Sequence, residues 1–191
     1  MSQLFVSLSK KNSARWVLEG DIKGCFDNFN HDWLVHHVQM DMAILRKWLK
    51  AGVIHKGQLL VTEAGTPQGG IISPTLANVA LNGLESQLMM HLGAKLGVMK
   101  AKKLLIHVVR YADDFVITGI SKEILDEVIR PWVEAFLADR GLQLSTEKTR
   151  ITHVDEGFDF LGWNFRRYKN GKFLIQPSKK NAQTFYRKVK E

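Results

Sequence analysis

Apolar and polar positions alternate along this chain in two rhythms, and the rhythms place its elements. Residues 15–22 (RWVLEGDI) read as a strand running into a turn at Lys23-Gly24. Over 30–50 the apolar positions Trp33, Leu34, Val38, Ile44, Leu45, Trp48 and Leu49 return at helical spacing, as one helix or as two broken near Gln39-Met40-Asp41. A short strand at 58–62 and a loop at 65–70 precede a long helix over 74–96, with Pro74 in its first turn. Two apolar runs, 104–111 and 115–119, flank Ala112-Asp113-Asp114 and read as a hairpin. Residues 121–140 form a helix capped by Ser121 and stopped by Gly141. Short strands are expected at 150–154, 158–165 and 173–176, with turns at Gly157 and Asn170-Gly171. The central order is strand, helix, helix, strand, strand, helix, strand. A small antiparallel sheet with helices on one face accommodates it, an α+β fold of the split β-α-β kind.

Composition adds bounds. The 191 residues are 45% hydrophobic and 24% charged, an ordinary globular balance that can bury a core. The single cysteine, Cys25, excludes an internal disulfide framework and a multi-cysteine zinc site. No run of about 18 apolar residues marks a membrane span, and residues 1–11 lack the pattern of a signal peptide. The expectation is a cytoplasmic protein. Charge changes the picture more, because the net +8 is unevenly placed. Residues 166–191 hold nine Lys or Arg against one Glu, so the other 165 residues sum to zero. This basic segment, headed by Arg166, Arg167, Lys169 and Lys172, reads either as a solvated helix or tail, or as a surface for a phosphate backbone.

Three acids stand out by their surroundings. Asp21 closes an apolar strand, and Asp113-Asp114 sit between two strands of Val, Ile, Leu, Phe and Tyr. Two-residue hairpin turns favour Asn-Gly or Asp-Gly, so adjacent like charges there are a poor choice for stability. A solvated turn is the plain explanation. If the strand ending in Asp21 lies beside the hairpin, however, the acids converge. A carboxylate cluster is tolerable around a hard cation, and oxygen-only ligation suits Mg²⁺. Two such ions about 4 Å apart can activate an attacking hydroxyl and stabilise a leaving pyrophosphate.

At this point the sequence resembles a known family. Asp21-Ile22-Lys23-Gly24-Cys25-Phe26-Asp27, Gly65-Thr66-Pro67-Gln68-Gly69-Gly70-Ile71-Ile72-Ser73-Pro74 and Tyr111-Ala112-Asp113-Asp114 are similar to three successive blocks of the reverse transcriptase palm, closest in wording to bacterial group II intron reverse transcriptases, or intron maturases. Gly141-Leu142-Gln143-Leu144-Ser145 with Lys148-Thr149, and then Phe160-Leu161-Gly162, resemble two further blocks in the right order. The resemblance covers about 15–165, read as a palm with partial fingers (1–165) followed by the basic segment (166–191). It implies a polymerase palm that adds deoxynucleotides to a DNA primer on an RNA template with two Mg²⁺ ions. Asp21 and Asp113 would be the main metal ligands, Asp114 a supporting acid, and Ile22 a backbone-carbonyl ligand. Phe26 would lie beneath the sugar and exclude a 2′-hydroxyl. Gln68 and Gly69 would sit under the incoming nucleotide and template base. Lys148 would contact phosphate or protonate pyrophosphate, and Phe160, Leu161 and Gly162 would form the primer grip.

Two departures from the family pattern carry expectations of their own. Residues 1–13 are too few for the basic fingers and N-terminal extension, and residue 191 falls where a helical thumb would begin. A gene remnant, an expressed fragment and one half of a split enzyme all fit, and low activity is expected unless another chain supplies fingers and thumb. Two other readings compete. A palm remnant could serve only to bind RNA through its basic segment. A metal-dependent nucleotidyl cyclase shares the split β-α-β palm and paired acids, but leaves the 65–74 loop and Phe160-Leu161-Gly162 unexplained.

Overall fold

The computed structural model describes residues 2–55, 58–60, 65–66 and 71–190. Its central element is a four-stranded antiparallel sheet in the order β4-β5-β1-β6, built from β1 (Trp16–Gly20), β4 (Val108–Tyr111), β5 (Asp114–Gly119) and β6 (Arg150–His153). β1 pairs with β5 from Trp16↔Gly119 to Gly20↔Phe115, and with β6 from Trp16↔His153 to Glu19↔Arg150. The expected antiparallel sheet of an α+β fold is therefore present.

One face of the sheet is covered by helices, as expected. Leu18, Ile117, Phe115 and Val108 point into a core shared with α2 (His31–His37), α3 (Met42–Leu49), α4 (Ser73–Leu81), α5 (Leu84–Leu96), α6 (Val98–Lys103) and α7 (Arg130–Ala138). The alternate residues Val17, Val109 and Val116 point the other way, into a second core. That core is closed by α1 (Ser2–Ser9) and by a three-stranded sheet of β7 (Phe158–Phe160), β8 (Trp163–Arg167) and β9 (Phe173–Pro177). Burial on both faces is why β1 and β5 read as continuous apolar runs.

Several expected elements are divided, each for a local reason. The 30–50 region is two helices, the second capped by Asp41, whose Oδ1 accepts from the amides of Ala43 and Ile44. The long helix over 74–96 is broken at Asn82-Gly83, which separate α4 from α5. There Arg140 Nε donates to the Ala80 carbonyl at 2.7 Å, engaging an acceptor that an unbroken helix would use itself. The 121–140 helix starts on Ser121 as expected, Oγ accepting from the Ile124 amide, but runs as a π-helix over Ile124–Ile129 before α7. Pro131 has no amide to give to the preceding turn, and the wider i→i−5 pairing, Arg130 N to Leu125 O, absorbs the mismatch. The 158–165 strand is two strands around a turn at Leu161-Gly162, and the first hairpin strand is confined to Val108–Tyr111. A β2 (Val53–His55) and β3 (Gln58–Leu60) hairpin lies between α3 and α4. Among the described residues no helix is long and apolar enough to cross a membrane.

Candidate active site

The site is assembled at one end of the central sheet. Gly20, the last residue of β1, faces Phe115 so closely that a Cβ there would stand 2.2 Å from the ring. Asp21 follows Gly20 directly at the end of β1, as Asp114 directly precedes Phe115 on β5. The β4–β5 hairpin closes with Tyr111 paired to Asp114, so Ala112-Asp113 is a two-residue turn. Ala112 is left-handed, with φ 53°, a conformation that disfavours residues with a Cβ. The turn is held in place by Arg110, whose Nη1 donates to the Ala112 carbonyl at 2.8 Å and to Asn78 Oδ1 of α4 at 3.1 Å. Ala112→Gly should relieve the backbone and stabilise the chain by up to about 1 kcal/mol; a thermal melt should show a rise of roughly 2–4 °C.

Asp21 and Asp114 line one cavity of about 230 Å³, together with Lys148, Phe160 and Leu161. Burial holds the Asp114 carboxyl above the ordinary carboxylate range, and the charges of Asp113 and Asp21 push it further up, with Lys148 opposing them. The three acids thus meet electrostatically. Lys148 Nζ lies 3.1 Å from Asp21 Oδ2, which places the sequence-predicted lysine directly on the acid site. Its segment is pinned there by two backbone bonds, Ser145 N to Asp21 O at 2.8 Å and Lys23 N to Gln143 O at 2.9 Å. These flank Ile22, paired with Leu144 in an isolated antiparallel bridge. In such a non-hydrogen-bonded pair the residue's own carbonyl points away from its partner strand, while the Ile22 side chain is buried in the core. Among the described residues no three His, Cys, Asp or Glu side chains are placed to hold an ion together.

Glu19 and Arg150 line the same cavity and were missed from sequence. Glu19, only 9% exposed, accepts from Arg150 Nε and Nη2 at 2.9 and 2.8 Å and from Thr152 Oγ1 at 2.7 Å. The available signal was a lone acid inside an apolar strand, two residues before Asp21 and hence on its face. Cys25 lies behind the acids. Burial, and then the negative charge of Asp113, push its thiol up to about 12. It should resist a disulfide reagent at pH 8 in the folded chain and react at once after denaturation.

Phe26 is half-buried against the helical core. The chain entering the 65–70 loop is docked on the turn that carries it. Gly65 N donates to Phe29 O at 2.9 Å, Thr66 N donates to Phe26 O, and His31 Nε2 lies 2.7 Å from Gly65 O. Gln68 and Gly69, the other sequence-predicted nucleotide contacts, lie outside the described residues.

A family model described as reverse transcriptase (RNA-dependent DNA polymerase) matches residues 2–165. The chain belongs to the reverse transcriptase family. It is 34% identical to the group II intron-encoded protein LtrA of Lactococcus lactis subsp. cremoris, over 83% of this chain and 36% of that protein. It is 33% identical to Protein YkfC of Escherichia coli K12, over 82% of this chain and 48% of that one. The chain is thus of the group II intron type and spans only about a third to a half of these curated relatives. The structure of apo telomerase from Candida tropicalis, truncated from its C-terminal domain, shares the fold with a TM-score of 0.65 at 16% identity, over 93% of this chain and 38% of that one.

The residues expected from sequence to form a primer grip lie at the β7–β8 turn, with Phe160 paired to Trp163. Leu161 and Gly162 both take left-handed φ values, 51° and 80°. Gly162 O accepts from Ser178 N at 2.9 Å, and Asn181 abuts Gly162. Phe160 is 5% exposed and belongs to the second core, Leu161 packs against that core half-buried, and both line the cavity beside Asp21 and Asp114. A leucine held left-handed at this position is strain of the kind that clusters at functional sites.

The basic residues divide. Lys169 and Lys172 are exposed around the Asn170-Gly171 turn. Exposed Arg166 donates to the Asp155 carbonyl at 3.0 Å and lies 5.4 Å from the Tyr168 ring centroid. Arg167 departs from the expectation of an exposed phosphate contact. It is 6% exposed, and its Nη2 donates to Leu8 O, Lys10 O and Ser13 Oγ. The strand alternation that exposes Arg166 turns Arg167 inward, where it holds the end of α1.

Proposed function

We propose that this chain supplies the catalytic palm of an RNA-directed DNA polymerase, extending a DNA primer on an RNA template with deoxynucleoside triphosphates. The observation that carries the reading is convergence. Asp21 shares a cavity with Asp114, 93 residues away, and both Asp21 and Asp113 raise the Asp114 carboxyl. The donor chemistry suits Mg²⁺, being oxygen-only and like-charged with Asp114 partly buried, while the side chains of the described residues as placed do not gather three acids around one ion. Asp21, Asp113 and Asp114, with the Ile22 carbonyl, would hold two Mg²⁺ ions, which when bound activate the primer hydroxyl and neutralise the leaving pyrophosphate.

The remaining work falls to the chain's own groups. Lys148, already at the Asp21 carboxylate, contacts the phosphates and hands a proton to the departing pyrophosphate. Phe26 lies under the sugar and rejects a 2′-hydroxyl, and Gln68 and Gly69 serve the incoming nucleotide and template base. The Leu161-Gly162 turn presses on the primer's terminal sugar and orients its hydroxyl, because aligned reactants remove much of the barrier.

Calorimetric titration with Mg²⁺ should show saturable uptake that Asp113→Asn abolishes. Primer extension on poly(rA)/oligo(dT) should then depend on the same residue. The competing reading, a non-catalytic RNA-binding module, draws on the Lys148–Asp21 pair, which leaves Asp21 already neutralised. No saturable Mg²⁺ uptake by the folded chain would establish that module instead.

A further inference from the structure

The cavity that holds the acids has a second charged wall. Glu19 stands on β1 two residues before Asp21, and the register sets it directly across from Arg150 of β6. Its carboxylate accepts from Arg150 Nε at 2.9 Å and from Nη2 at 2.8 Å, and Thr152 Oγ1 adds a third bond at 2.7 Å. Glu19 and Arg150 line the cavity together with Asp21, Asp114 and Leu161.

The pair is lopsided, and that is informative. The Glu19 side chain is 11% exposed, whereas that of Arg150 is 63% exposed. Joining β1 to β6 needs no such pair, because the backbone ladder does that and burying charges adds little to stability. What the pair accomplishes is to aim a cation. Nε and Nη2 are both fixed on one buried carboxylate, so the planar group is held in a single orientation. Nη1 makes no hydrogen bond among the described residues and belongs to a guanidinium at the cavity wall. Asp159 lines the same cavity, but it is engaged by Asn164 Nδ2 at 2.7 Å.

We propose that Arg150, aimed by Glu19, binds a backbone phosphate of the strand whose 3′ end meets Asp21, at one of its last two internucleotide linkages. Glu19 and Asp21 are two residues apart on one strand, about 7 Å at 3.4 Å per residue. A nucleic-acid strand rises about 3.4 Å per nucleotide, so the guanidinium stands roughly two nucleotides back from the acids. Leu161 of the β7–β8 turn closes the same cavity, and the strand end passes between that turn and Arg150. Glu19 is then a positioning residue, and Arg150 is the group that touches the primer. The proposal rests on the polymerase reading for placing a primer end at Asp21.

The test couples a charge on the protein to a charge on the primer. A fluorescently labelled DNA primer annealed to an RNA template is bound to the full chain in MgCl₂ without nucleotide, and Kd is read by anisotropy. An uncharged methylphosphonate replaces one linkage at a time. The variant is E19Q/R150Q, which removes both charges together and leaves no lone carboxylate buried in the wall. In the wild type, a methylphosphonate at the last or second-last linkage should weaken binding about tenfold. E19Q/R150Q should bind the unmodified primer about tenfold more weakly and lose less than about twofold further at that linkage. Far from the 3′ end, the modification should cost both proteins the same factor. A merely structural role would leave the losses equal in the two proteins at every linkage, and that result would overturn the proposal, as would wild-type binding indifferent to both end linkages or no binding of the duplex. Calorimetric Mg²⁺ uptake separates this from the polymerase reading. Uptake without the coupling sinks the phosphate contact alone. Coupling without uptake or primer extension sinks the polymerase reading and leaves the contact standing.

Discussion

Asp113→Asn is expected to cut primer extension by about a thousandfold or more while raising the melting temperature at neutral pH. The loss follows from removing a charge that balances cations in the reacting centre, where preorganised electrostatics supply most of the rate. The gain follows from Asp114. Its carboxyl is raised by burial first and then by Asp113 and Asp21. Between its unfolded and folded values the folded chain holds more proton than the unfolded one, so stability falls as pH rises through that window. The penalty is complete above the folded value and absent below the unfolded one. Removing the Asp113 charge therefore stabilises the fold near pH 7 and changes little near pH 3. Thermal melts at the two pH values, run beside primer extension, check both halves. Extension near the wild-type rate would refute the role given to Asp113.

Gly65→Ala should be the most damaging addition of a single methyl group. Its Cβ would fall 2.4 Å from the Asp27 carbonyl carbon and 2.4 Å from the Phe26 oxygen. Both are backbone atoms that cannot rotate away, and φ at Gly65 is 76°. Overpacking and a left-handed alanine together cost about 2–4 kcal/mol, a melting-temperature drop of roughly 10 °C. Gly97→Ala is the internal control. Its φ is 84° but nothing lies within 4 Å of the added Cβ, so it should lose only about 1 kcal/mol. The functional consequence is separate from stability. Gly65 and Thr66 are tied to the turn bearing Phe26, so the variant should raise the nucleotide KM more than it lowers kcat. Equal melting temperatures for the two variants would show that the 65–66 segment is not docked as described.

The order of strands and helices was legible because periodicity reports burial directly. The run at 16–20, the hairpin around Asp113 and the paired helices over 31–49 all follow from where apolar residues recur. The approach of Asp21 to the Asp113-Asp114 hairpin was legible too, since both stand at the ends of apolar strands. Other features depended on partners distant in sequence. The break at Asn82-Gly83 accompanies a guanidinium donated from residue 140. The second core on the other face of the sheet needs α1 and β7–β9 to arrive together.

The amino-acid sequence alone determined which residues could do chemistry here, because strand ends, turns and carboxylates are local properties read one segment at a time. Only the tertiary structure decided which of them share a space. It set Lys148 on Asp21 and brought Glu19 and Arg150 to the cavity wall. It also turned Arg167 inward and Arg166 outward. The physical reason is that charge interactions and steric exclusion act over a few ångströms in space, and chain folding brings within that range residues that are a hundred or more positions apart.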